Sequence, residues 1–256
     1  DILFELGGTT DMNKLEVMAY RPAPLQASWL GYPHSSGLTT IDHYICDTHN
    51  APTDPALLIE QPLVMSGSWI AMSPALVARA PQPSGEPPER RKGHLTYGTA
   101  NNPHKFTADL LAAWARITAA TPGAHFAFIR PEAGSRVFRR NVESVFAARG
   151  VSADRIDWHV TRGGHMAAYE EIDISLDTFP LTGGTTTVES LLMGVPVVSL
   201  AGEAVFERLS RSILINAGLG DLCTTSIAAY EACALRLAGD FQRRLSLRQT
   251  LRATLE

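Results

Sequence analysis

The chain has 256 residues, 45% of them hydrophobic and 19% charged, and its 22 Lys+Arg against 26 Asp+Glu leave a formal charge of −4. That length suits one large α/β domain, or two of roughly 100–150 residues, with a core that needs neither disulfides nor a structural metal. The composition excludes a disordered chain, the acidic balance argues against nucleic acid as a partner, and no apolar run reaches the roughly 18 residues of a membrane span. Cys46, Cys223 and Cys233 are odd in number and scattered, which fits a reducing cytoplasm better than a disulfide framework or a zinc site. The chain opens on Asp1 in mid-strand, shows no signal-peptide pattern and reads as a fragment.

In chain order, DILFEL (1–6) reads as a buried strand with a Gly7-Gly8 exit. NKLEVMAY (13–20) puts Leu15, Met18 and Ala19 on one helical face, stopped by Pro22 and Pro24. LQASWL (25–30) and IDHYIC (41–46) read as strands joined by the loop GYPHSSGLTT. Residues 74–93 hold prolines at 74, 81, 83, 87 and 88 among charges and small residues, so a linker that buries nothing is expected there. Strict alternation follows: HLTYGT (94–99), a helix near 107–120 with Leu110, Leu111, Trp114 and Ile117 on one stripe, and the strand HFAFIR (125–130). A helix carrying Phe138, Val142 and Phe146 comes next, then the strands RIDWHV, IDISLD and VPVVSLA. Five strands at this spacing predict a parallel doubly wound sheet with ligands at its carboxyl ends.

Three strand ends carry candidate chemistry. In LTGGTTTVESLLMG, Gly183 and Gly184 let backbone approach a ligand, and Thr185, Thr186 and Thr187 bring hydroxyls and N–H groups to a helix start that favours an anion. Glu189, read as a first-turn residue, would reach a ribose diol; an ordinary N-capped helix is the plainer account. In NNPHK (101–105), Lys105 begins a helix where a cation could meet a phosphate, or lies in a solvated turn. After RIDWHV, Arg162 and His165 flank Gly163-Gly164; His165 could stack on a base or be a loop histidine. The eight histidines have no HExxH or paired-cysteine company, Asp173 and Asp177 lie in an apolar strand, and no Walker A, GxSxG or GxGxxG motif is present.

RPAPLQASWLGYPHSSG (21–37), NNPHK (101–105), HMAAYEEIDISLD (165–177) and GGTTTVESLLMGVPVVSLAG (183–202) together resemble the catalytic region of the O-GlcNAc transferase (SPINDLY-like) family, especially bacterial TPR-linked members. The resemblance runs in order over nearly the whole chain. It implies an α/β, GT-B-type fold of two Rossmann-like lobes, the first (1–73) incomplete and the second (94–256) holding the nucleotide sugar. The implied activity is metal-independent, inverting transfer of N-acetylglucosamine from UDP-GlcNAc to Ser or Thr hydroxyls of proteins. No cofactor is implied, since the UDP-sugar is a substrate, and N-terminal TPR repeats in the full-length protein are.

Position by position, the resemblance makes Lys105 the catalytic lysine that stabilises the leaving UDP, with Asn102 beside it. His165 packs on the uridine, and Arg162 stands where a basic residue meets the diphosphate. Gly184, Thr185 and Thr186 fall at the pyrophosphate, and Glu189 falls at the ribose. His34 is a cleft candidate, with a structural loop histidine as the plainer reading. Gly184, Ala168 and Gly67 depart from animal members, which carry His, Arg and His there. The family's general-base histidine lies upstream of a segment like DILFEL, and the helix that returns to the first lobe is expected to stop short at Glu256. Relatives using GDP-fucose or UDP-glucose, 2-epimerases of the same plan, and a non-catalytic nucleotide-sugar-binding module are the alternative readings.

Overall fold

The computed structural model describes every residue except Met12, Arg162 and Glu256, and every other side chain except those of Leu76 and Arg79. The first sheet consists of β1 (Ile2–Glu5), β2 (Leu25–Ser28), β3 (His43–Asp47) and β4 (Gln61–Met65), all parallel and adjacent in chain order. A one-turn helix, α1 (Glu16–Ala19), joins β1 to β2. β4 is a strand that the sequence reading leaves out. Pro62 pairs with Tyr44 across the ladder, and a proline is accommodated because β4 lies at the sheet edge.

The stretch expected to be a linker carries α2 (Pro74–Arg79) and α3 (Glu89–Lys92). The expectation that it buries nothing does not hold, since Ala80, Pro87 and Pro88 are buried. The Glu89 N–H donates to Asp173 Oδ1 (3.1 Å), and the Glu89 carboxylate receives Arg244 Nη2 (2.6 Å). Prolines end helices, but they also pack; their apolar rings are covered here once neighbouring charges find partners.

The second sheet comprises β5 (Thr96–Thr99), β6 (His125–Ile129), β7 (Ile156–His159), β8 (Ile174–Leu176), β9 (Val197–Leu200) and a two-residue β10 (Cys223–Thr224). All are parallel in the order β10-β9-β8-β5-β6-β7. The sixth strand, two residues long, leaves no pattern in the sequence. Helices α4 (Ala108–Ala120), α5 (Arg136–Ala147), α6 (Thr185–Leu192) and α7 (Leu209–Asn216) make the crossovers, and α8 (Ile227–Gly239) and α9 (Phe241–Leu255) follow. Trp114 of α4 and Phe126 and Phe128 of β6 anchor an aromatic cluster with Phe146 of α5, and all four side chains are buried. α9 reaches back to the 74–81 stretch, where Arg252 donates to the Val77 and Pro81 carbonyls. Among the described residues no helix is long and apolar enough to cross a membrane.

Chain direction reverses its progress across the second sheet between β5 and β8. Their carboxyl ends therefore flank a crevice, the place where open α/β sheets bind ligands.

Candidate active site

A cleft of about 770 Å3 opens at that crevice, lined on one side by Tyr32, Trp69 and Met72 and on the other by Asn101, Lys105, Arg130, Gly184, Thr185 and Thr186. A smaller cavity of about 330 Å3 adjoins it, lined by Arg130, Thr161, His165, Thr185, Thr186 and Glu189. Seven of the residues singled out in the sequence thus line one connected space: Asn102, Lys105, His165, Gly184, Thr185, Thr186 and Glu189.

The turn into α6 is tightly packed at both glycines. A Cβ on Gly183 would run into Thr187 Oγ1, with Thr186 Oγ1 2.9 Å and Asp177 Oδ1 3.0 Å away. A Cβ on Gly184 would stand 3.3 Å from the Trp69 ring, which reaches over from the first lobe. Gly184 is the N-cap of α6 and no side chain caps the helix, so its first-turn N–H groups present the positive end of the helix to the cleft. Thr186 Oγ1 donates to Asn101 Oδ1 (3.1 Å). Thr187 turns the other way, buried against Ser210 Oγ at 2.7 Å, so two of the three threonines face the ligand space and the third is structural.

Lys105 does not begin a helix. It ends a 3-10 turn (Pro103–Lys105) ahead of α4, and its ammonium is directed inward, donating to the Thr182 carbonyl (2.8 Å) and to Asn101 Oδ1 (3.2 Å). Burial pulls its pKa down; the nearby Asp177 carboxylate opposes that and Arg130 adds to it. Asn102 has a local task, since its Oδ1 caps the 3-10 turn by accepting from the His104 N–H (3.0 Å). The neighbour Asn101, which sequence reasoning passed over, is the residue joined to Lys105 and Thr186.

Glu189 is the fifth residue of α6 and lies beyond its first turn; it is buried, and its Oε2 lies 3.0 Å from His165 Nε2. The pair forms the far wall of the smaller cavity, with the His165 ring partly exposed to it. Arg162 lies outside the described residues. His34 stacks on Phe206 (5.3 Å, 18°) and accepts from the Ser35 N–H at Nδ1, while its neighbours Tyr32 and Pro33 line the cleft. Asp177 and Arg130 were also missed. Both directly follow the last residue of a central strand, at the carboxyl rim of the sheet that also carries the NNPHK turn, and that signal was available for them.

One histidine–aspartate group lies at the opposite, amino end of the second sheet: donor atoms of His94, His125 and Asp157 fall within 4.8 Å of one another. The two imidazoles are stacked at 3.8 Å and 14°, so their in-plane lone pairs run side by side and do not converge on one point.

Two parallel sheets facing across a cleft, with a cation and an open helix N-terminus at the switch point of the second, define a GT-B glycosyltransferase fold. The chain belongs to glycosyl transferase family 41, whose family model matches residues 1–64 and 90–255. It is 38% identical over 260 residues to the probable UDP-N-acetylglucosamine–peptide N-acetylglucosaminyltransferase SPINDLY of Oryza sativa subsp. japonica, covering 100% of this chain and 28% of that protein. The Arabidopsis thaliana protein of the same description is 36% identical, covering 98% of this chain and 28% of that one. A mutant of the Thermobaculum terrenum O-GlcNAc transferase superposes with a TM-score of 0.88 at 31% identity, covering 100% of this chain and 48% of that one. The chain thus spans little more than a quarter of the length of these curated relatives.

Proposed function

We propose that this chain is the donor-binding part of a protein O-GlcNAc transferase, which moves N-acetylglucosamine from UDP-GlcNAc to Ser or Thr hydroxyls. The observation that carries the reading is the convergence of Lys105, Thr185, Thr186 and the uncapped start of α6 on one rim. As the acceptor hydroxyl gives its proton to a base and its oxygen bonds to the sugar C1, the bond from C1 to the diphosphate breaks and its electron pair goes to the departing UDP. Negative charge grows there, and preplaced donors stabilise it without reorganising. Lys105 has three N–H donors and spends two on Asn101 and Thr182, leaving the third for a phosphate oxygen. His165 offers a flat surface to the uracil and Glu189 an acceptor to the ribose hydroxyls, next to a diphosphate on α6.

A metal-free mechanism and a cytoplasmic setting belong to the same proposal; Cys46, Cys223 and Cys233 are all free thiols. So do TPR repeats, which would fall in the larger part of the relatives that this chain does not span. The test uses the full-length protein, UDP-GlcNAc and a Ser/Thr peptide library read by mass spectrometry. One N-acetylhexosamine per modified peptide, with turnover intact in excess EDTA, is expected. A product carrying another sugar, or activity lost to EDTA and restored by manganese, overturns the corresponding part.

A further inference from the structure

We infer that Asp177, one residue past β8, is the positioning residue of the donor site: it holds the Gly183 turn and, through Asn101, aims Lys105 and Thr186 at the diphosphate. The inference rests on the donor-site reading above. Asp177 is almost fully buried, which is costly for a carboxyl group unless its oxygens are satisfied. They are. Oδ1 accepts from the Thr178 and Gly183 N–H groups, both at 2.8 Å, and from Asn101 Nδ2 at 3.3 Å, while Oδ2 accepts from Ser199 Oγ of β9 at 2.6 Å. Every partner donates, as an acceptor-only carboxylate requires.

The bond to Asn101 decides the rest. An amide has one donor end and one acceptor end, and Asp177 claims the donor end. The Asn101 carbonyl oxygen is thereby turned to Lys105 Nζ (3.2 Å) and Thr186 Oγ1 (3.1 Å), two groups that line the cleft. The core fixes Asp177 from behind: Tyr230 Oη donates to its carbonyl (2.9 Å) and receives Trp114 Nε1 (3.0 Å). One carboxylate therefore links the helix-start turn, the cationic lysine and the aromatic core.

Its negative charge has a second consequence. Lys105 faces Asp177 from the end of β8 and Arg130 from the end of β6, with Glu132 bonded to Arg130 and the His165–Glu189 pair across the smaller cavity. Asp177 is the group that favours the protonated amine against burial and Arg130. A lysine serves a phosphate only while charged, so donor binding fades as pH rises through the Lys105 pKa. Without the Asp177 charge, that fading starts at lower pH.

The decisive experiment compares Asp177→Asn, Lys105→Ala and the unaltered full-length protein across a pH series from mildly acidic to alkaline. Asn retains the shape: its oxygen can keep the three Oδ1 partners while its NH2 meets Ser199 Oγ, a hydroxyl able to accept. Asp177→Asn is expected to lose roughly 10–100-fold in kcat, as small misplacements do, and to move the alkaline limb of both kcat and UDP affinity to lower pH. Lys105→Ala is expected to lose roughly 10²-fold or more and to have no such limb. A crippled Lys105→Ala beside an Asp177→Asn protein with unaltered kcat and limb would overturn the inference and leave the donor-site reading standing. A fully active Lys105→Ala would overturn that reading itself. If Asp177→Asn does not fold, Asn101→Ala cuts the same link without touching the carboxylate; it must show the kcat loss, and wild-type turnover in it overturns the inference.

Discussion

The two sheets share parallel topology and differ in how they are covered. In the second, Tyr97, Phe126, Ile174 and Val198 lie in strands with both faces buried, as parallel sheets wrapped by helices require. In the first, Ile2, Phe4, Leu63 and Val64 remain exposed on β1 and β4, its two edge strands. The site divides along the same line. The second sheet supplies side chains locked by buried hydrogen bonds, such as Asp177, Asn101 and Thr187. The first supplies loops that lean across, chief among them the Trp69 loop. Trp69 accepts Trp29 Nε1 at its carbonyl, donates its own N–H to Asp47, and sends its indole N–H to the Leu209 carbonyl at 3.3 Å. Asp47 in turn accepts from Ser212 of α7, so the first lobe is pinned to the helix whose Ser210 holds Thr187. Under the proposed function, a rigid second lobe and a docked first lobe would suit a reaction in which the leaving group needs a fixed field and the acceptor varies.

That contrast is open to direct attack. The largest effect is expected from Trp114→Ala, since Trp114 is 0% exposed, packs on Phe126 and Phe128, and donates to Tyr230. Truncation should cost about 3–5 kcal/mol in denaturant unfolding. It should weaken UDP binding as well, because Tyr230 steadies Asp177. A loss under about 1 kcal/mol would mean that the second sheet is not the rigid half.

Next in size is a pair of glycines, one from each half. Gly183→Ala forces a methyl group among Thr187, Thr186 and Asp177, and overpacking of this kind costs about 1–3 kcal/mol. The helix-start turn must shift to relieve it, so UDP affinity measured by calorimetry should fall with stability. Gly67, in the first-lobe loop after β4, has no atom within 4 Å of a built Cβ and no left-handed backbone, so Gly67→Ala should leave both quantities within about 0.5 kcal/mol of the parent. Equal losses at the two positions would erase the distinction between the halves.

How much of this was legible in the sequence follows the same division. Apolar strands of the second sheet are near-continuous hydrophobic runs, and their ends announce loops, so β5 through β9 and the Gly-Gly-Thr-Thr turn could be read directly. β4 could not, because Pro62 disguises an edge strand as a loop. The choice between Asn101 and Asn102 was illegible too: two adjacent asparagines follow one strand, and only the path of the 3-10 turn decides which faces the lysine. Asp177 was passed over as a carboxylate in an apolar strand, although its place after the strand end was the clue. The His165–Glu189 pair joins residues from separate connections, which no local pattern links.

The smallest effect is expected on the exposed face of the first sheet. Phe4 is 49% exposed on β1, and its partner across the ladder is Ala27. Phe4→Ser removes a side chain that already loses only part of its apolar surface to packing. At about 25 cal/mol per Å2, half of a phenylalanine's contribution is at most roughly 1–1.5 kcal/mol, and serine's poorer strand propensity adds a few tenths. In the 256-residue chain the substitution should therefore shift the denaturant midpoint modestly and leave UDP binding unchanged, since no residue of β1 lines the cleft or the smaller cavity. Unfolding followed by tryptophan fluorescence, with UDP titrated into the same samples, reads both quantities together. A loss as large as that of Trp114→Ala would show that this face is covered in solution, and the two sheets would then be alike in the property that separates them here.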